Sequence, residues 1–82
     1  MNRPISVLLA DDQVLLREAL GTVLGADPRI EVAGGVDDGA AAVSFVLSHR
    51  VDVVLMDVRM PGKDGIAATV EVLRVSPQTR VL

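Results

Sequence analysis

The sequence has no cysteine, no tryptophan and no tyrosine, and only one phenylalanine (Phe45) and one histidine (His49). Without cysteine no disulfide framework can staple the chain, which fits a reducing, cytoplasmic setting. A single aromatic ring cannot make the stacking platform of a single-strand nucleic-acid binder. The cations Arg3, Arg17, Arg29, Arg50, Arg59, Lys63, Arg74 and Arg80 stand singly, and the net charge is −3. No basic stripe is there to follow a phosphate backbone, so direct nucleic-acid contact by this segment is not expected. Long apolar runs are missing too. The six residues Ile5–Ala10 are too short for a signal-peptide core, and they lead straight into Asp11-Asp12. Nothing approaches the ~20 apolar residues of a membrane span.

What is present is a globular composition. Half of the 82 residues are apolar, enough for one soluble domain and no more. A chain of this size buries only ~60% of its unfolded surface, so marginal stability is expected.

Strand and helix signals alternate along it. Ile5-Ser-Val-Leu-Leu-Ala10 is a continuous apolar run, the pattern of a strand buried on both faces. Leu16, Ala19, Leu20, Val23 and Leu24 recur at helical spacing, ending near Gly25. Ile30-Glu-Val-Ala33 alternates as a half-buried strand does, and Gly34-Gly35 reads as the turn that breaks it. Gly34-Gly35 lacks the spacing of a dinucleotide-binding loop. A second helix is expected from about Asp38, with Ala42, Val43, Val46 and Leu47 inward and His49-Arg50 in its last turn, where cations suit the helix dipole. Phe45 falls off that inward stripe and is expected to be partly exposed. Val51-Asp-Val-Val-Leu-Met56 is a second apolar strand, followed by the turn-rich Met60–Gly65. Asp64 is placed to cap a third helix with Ile66, Val70 and Leu73 on one face; Ser76-Pro77 stops it, and Thr79–Leu82 begins a fourth strand.

The order β-α-β-α-β-α-β implies a parallel sheet with helices on both faces. The half-buried second strand suits an edge, and the first and third suit the centre. The expected fold is therefore α/β, a doubly wound, flavodoxin-like sheet beginning 2-1-3-4, reaching here only the start of its fourth strand. In such sheets ligands bind beyond the carboxyl ends of the strands, where the order reverses, between the first and third strands. Those two strands end in Asp11-Asp12 and Asp57. One aspartate at a strand end is ordinarily a helix cap or a solvated acid, and Asp12 is placed to cap the first helix. Three converging carboxylates repel unless a cation or proton shares them, and hard oxygen donors suit Mg²⁺.

Val7-Leu-Leu-Ala-Asp-Asp12 resembles the acidic-pair segment of response-regulator receiver domains. Asp52-Val-Val-Leu-Met-Asp-Val-Arg-Met-Pro-Gly-Lys-Asp-Gly65 resembles their phosphorylation segment. Asp12-Gln-Val-Leu-Leu-Arg17 and Asp57-Val-Arg-Met-Pro61 are similar to the NarL/FixJ subgroup, whose receivers usually precede a LuxR-type helix-turn-helix. The likeness covers essentially the whole chain. It implies that Asp57 accepts a phosphoryl group from a sensor histidine kinase. Mg²⁺ would be held by the carboxylates of Asp12 and Asp57, the backbone carbonyl of Arg59 and, mainly through water, Asp11. The backbone N–H groups of Val58 and Arg59 would receive phosphoryl oxygens. On this reading residues 1–82 are a receiver domain incomplete at its C-terminus, without the DNA-binding domain and without the family's Ser/Thr and Lys on the fourth and fifth strands. It is a regulatory phosphoacceptor in transcription control, not an enzyme.

Other readings stand beside it. An aspartyl-phosphate phosphatase would need an acid two residues after the nucleophile, where this chain has Arg59, which cannot donate a proton. A flavin protein would need a phosphate loop where this chain has acids. A non-phosphorylated binding or assembly module is the remaining alternative, because an open third and fourth strand edge invites a homodimer or swapped assembly. Lys63 and Arg17 are expected in solvent, His49 is read as a helix-end residue, Met56 as core filling and Met60 as part of the turn.

Overall fold

The computed structural model describes residues 3–60, 62 and 64–82. The expectations for Pro61 and Lys63 lie outside them. The elements are β1 (Ile5–Ala10), α1 (Val14–Gly25), β2 (Ile30–Val36), α2 (Gly39–Ser48), β3 (Val53–Met56), α3 (Gly65–Val75) and β4 (Arg80–Val81). All strand pairs are parallel, in the order β2-β1-β3-β4. The expected sheet order is therefore found, with β2 at one edge and the apolar β1 and β3 inside.

Successive side chains of a strand point to opposite faces. Leu8, Ala10 and Val54 join Ala42, Val43 and Val46 of α2 and Val72 of α3 in one buried cluster. On the other face lies α1, its Gly21 over Leu9. The buried hydroxyls are satisfied: Ser6 donates to the Arg50 carbonyl at 3.0 Å and Thr79 to the Val51 carbonyl at 2.8 Å. These bonds fix the chain on either side of Val51, where it enters β3. Asp38 and Asp64 cap α2 and α3, accepting from the Ala41 and Ala67 amides at 2.7 and 2.8 Å.

Several expectations are corrected. Gly34-Gly35 is not a turn, because β2 runs through both residues to Val36. The irregularity lies one residue earlier. Val7 pairs with Val32 and Leu8 with Gly34, leaving Ala33 as a bulge. Each glycine lies where a neighbouring side chain crosses the strand. A Cβ on Gly34 would meet the Phe45 ring at 2.8 Å, and one on Gly35 would meet the Arg17 side chain at 2.9 Å. Phe45 is partly exposed as expected, but it packs on the core and its ring stacks on His49, centroids 4.1 Å apart. α2 ends at Ser48, so His49 caps it and Arg50 lies beyond.

The inward faces of α1 and α3 also differ from the apolar stripes. In α1 no residue is fully buried, and Leu16, Ala19 and Val23 are exposed. The helix instead seats its smallest surface, Gly21, on Leu9, which turns Arg17 toward β2. In α3 the buried residues are Gly65, Ala68 and Val72, while Ile66, Val70 and Leu73 face outward, Ile66 at 65% exposure. The start of the helix touches the backbone after β3 so closely that only Gly65 fits there, and Val72 reaches the core cluster. Leu47 of α2 is likewise exposed. No helix among the described residues is long and apolar enough to cross a membrane.

Candidate functional site

Register brings the acids together. β1 and β3 pair Val7 with Val53 through Ala10 with Met56, so residues 11 and 57 leave the sheet side by side. The ladder continues one step past the strands: the Asp57 amide donates to the Ala10 carbonyl at 2.8 Å and the Asp11 amide to the Val36 carbonyl at 3.0 Å. Both backbones are therefore held as firmly as the sheet itself.

Asp11, Asp12 and Asp57 each place a carboxylate oxygen within 4.8 Å of the others. An octahedral Mg²⁺ with oxygens at ~2.1 Å spans ~4.2 Å between opposite ligands. A donor set of this spread fits such an ion when one of the carboxylates reaches it through water. The bland roles do not consume the cluster. The N-cap of α1 is Gln13, without a side-chain cap, so Asp12 does not cap the helix. Asp12 is exposed and makes no hydrogen bond among the described residues. Asp11 Oδ1 accepts from the Gln13 amide at 2.8 Å and Asp57 Oδ1 from the Arg59 amide at 3.1 Å. Each of these two bonds uses one oxygen and leaves the other available. Asp11 and Asp57 themselves line an open cleft of about 170 Å³ together with Leu9, Ala10, Leu20, Leu55, Met56 and Leu82.

Of the remaining predicted site residues, Val58 is exposed and its carbonyl accepts from the Gly65 amide at 3.0 Å. The Arg59 amide is directed at Asp57, and the Arg59 side chain is exposed.

Three residues whose sequence signal is that of a turn or a surface matter here. Gly65 packs its Cα against the Asp57 carbonyl, so closely that a Cβ would collide with that oxygen and sit 2.7 Å from Val58 Cα. Met60 is buried in the core cluster and anchors the loop after Asp57. Arg17 is not in solvent: its Nη1 donates to the Asp11 carbonyl at 2.6 Å. Only Gly65 left a trace in the sequence, as a glycine directly after a capping aspartate.

Three carboxylates thus converge where the order of a parallel α/β sheet reverses. Comparison with known proteins is specific. The family model described as the response regulator receiver domain matches residues 7–82, and the chain belongs to that family. It is 43% identical over 76 residues to a protein-glutamate methylesterase/protein-glutamine glutaminase of Anaeromyxobacter dehalogenans, covering 93% of this chain and 22% of that protein. It is 40% identical over 78 residues to the transcriptional regulatory protein NarL of Mycobacterium tuberculosis, covering 95% and 36%. Among solved structures, the response regulator domain of Thermotoga maritima CheB superposes with a TM-score of 0.91 at 34% identity, over 96% of this chain and 58% of that one. The NarL receiver domain of M. tuberculosis gives 0.90 at 38%, over 98% and 64%. The chain thus spans roughly a fifth to a third of the length of these curated relatives. Membership makes it a regulatory phosphoacceptor module, and receiver domains bind Mg²⁺ through acidic residues of the kind clustered here.

Proposed function

We propose that Asp57 is the phosphoacceptor of this chain and that Asp12 and Asp57 hold Mg²⁺ directly, with Asp11 mainly through water and the Arg59 carbonyl as a further ligand. The supporting observation is the convergence of the three carboxylates where β1 and β3 end side by side. The phosphoryl donor is a phosphohistidine of a sensor kinase. An Asp57 carboxylate oxygen forms the bond to phosphorus as the P–N bond breaks, and the imidazole leaves with the electron pair. The backbone N–H groups of Val58 and Arg59 receive phosphoryl oxygens, as amides of turns after strands do. Mg²⁺, when bound, offsets the charge on the phosphoryl oxygens and orients them.

Residues 1–82 act, on this reading, as the receiver part of a cytoplasmic regulator whose effector controls transcription. The NarL likeness and the Asp12–Arg17 segment support that effector. The 43% identity to a methylesterase supports a second reading, in which the same receiver governs a methylesterase domain. Assembly with a second copy is supported by the exposed apolar face of α3 next to β4. Light scattering on the purified chain tests it, and a monomer would count against it.

The deciding experiment is intact mass before and after acetyl phosphate with Mg²⁺, for the wild type and Asp57→Asn. A gain of one phosphoryl group that vanishes in the variant supports the assignment. No gain in the wild type, or an equal gain in both, overturns it.

A further inference from the structure

We propose that Arg17, seated on Gly35, is a positioning residue that sets the direction of the Asp11–Asp12 peptide and so brings the Asp12 carboxylate to the cation site. The proposal rests on the reading of Asp11, Asp12 and Asp57 as that site. Asp11 is held on three sides: its amide by the Val36 carbonyl at 3.0 Å, its carboxylate by the Gln13 amide at 2.8 Å, and its carbonyl by Arg17 Nη1 at 2.6 Å. Asp12, the next residue, has no hydrogen bond among the described residues. Its placement is therefore inherited from its flanking peptides. The Asp11 carbonyl belongs to the same rigid peptide unit as the Asp12 N–H, so the bond that fixes one fixes the other.

The seat is built for the arginine. Residues 34 and 35 of β2 face opposite sides of the sheet, and each lacks a side chain where a neighbour crosses it. Phe45 crosses Gly34, and the Arg17 stem crosses Gly35, where a Cβ would lie 2.9 Å from Cδ, 3.2 Å from Nε and 3.3 Å from Cγ. The guanidinium is thereby given to a backbone carbonyl beside the acids.

Charge and positioning make opposite predictions. Removing a nearby cation, taken alone, strengthens Mg²⁺ binding, whereas loosening a ligand's support typically costs ten- to a hundredfold in metal affinity. The test is Mg²⁺ titration of the 82-residue chain, following the amide resonances of residues 11–13 and 57 by NMR, for the wild type, Arg17→Ala, Arg17→Lys and Gly35→Ala. Thermal midpoints without metal are measured alongside. The expected result is at least a tenfold weaker Mg²⁺ affinity in Arg17→Ala and partial rescue by Arg17→Lys, which keeps a cationic donor group without the fork of the guanidinium. Gly35→Ala should show a smaller loss, because the cation stays but its seat is filled. Where Arg17→Ala does not fold, Arg17→Lys and Gly35→Ala carry the test, and wild-type affinity in both overturns the proposal. Equal or tighter binding by a folded Arg17→Ala overturns it while leaving the cation site standing. A wild type that binds no Mg²⁺ removes the site reading and this proposal with it.

Discussion

Replacing Gly65 by alanine tests how the fold positions Asp57. A Cβ at this position would strike the Asp57 carbonyl and lie 2.7 Å from Val58 Cα and 2.9 Å from Asp57 C. Carbon atoms pack at ~3.5–4.0 Å, so about 1 Å must open between α3 and the segment after β3. Every atom in the way is backbone, and no side-chain rotation relieves it. Overpacking of this kind costs about 1–3 kcal/mol, and separation strains the 3.0 Å bond from the Gly65 amide to the Val58 carbonyl, worth about 1 kcal/mol. The lower entropy of the unfolded alanine chain returns about 0.4–1 kcal/mol. The net expectation is a loss of about 2–3 kcal/mol, read by urea unfolding followed by circular dichroism. Phosphorylation by acetyl phosphate should fall as well, because the displaced carbonyl belongs to Asp57. Gly62→Ala is the control. Its φ of +71° disfavours a side chain, but nothing lies within 4 Å, so it should cost only about 1–2 kcal/mol. A Gly65→Ala protein as stable as the wild type and equally phosphorylated would refute the reasoning.

Three further outcomes are expected. Asp38→Ala removes the acceptor of the Ala41 amide at 2.7 Å and should lower stability by about 1 kcal/mol in the same unfolding assay. Val54→Ala opens a cavity at the fully buried centre of β3 and should cost about 2–4 kcal/mol, with loss of native near-neighbour methyl shifts by NMR. The bonds from Arg29 hold Asp27 down at about 2, and the Ser6 amide, assisted by Arg50, holds Asp52 below the usual carboxylate range. Carboxyls lowered by folding stabilise the protein above their unfolded value, here 3.8, and that contribution fades as pH falls through the folded value. Acid titration of the thermal midpoint should therefore decline between about pH 4 and pH 2, and less steeply in Asp52→Asn.

The sequence by itself determined the element order, the parallel 2-1-3-4 sheet and the identity of the three acids. Strand patterns, helix caps and strand-end aspartates are local signals, and the apolar run of β1 matches its burial from Ser6 to Ala10. It also marked Asp64 as a cap and Asp38 as the start of α2, since such signals depend only on residues within one turn. Which helix face turns inward was decided by tertiary packing. Ile66, Val70 and Leu73 make the more apolar stripe of α3, yet Gly65 is pressed against Asp57 and Val58 and Val72 enters the core cluster, so the face carrying Gly65, Ala68 and Val72 turns inward. The same holds for Gly34 and Gly35, whose local signal is a turn but whose real cause is the crossing of Phe45 and Arg17 from opposite faces. Arg17 looked like a solvent-facing cation because its partner is a backbone carbonyl six residues away and its seat is on another strand. Residue type and spacing carry no record of such partners; they arise only when the sheet sets β2 beside β1.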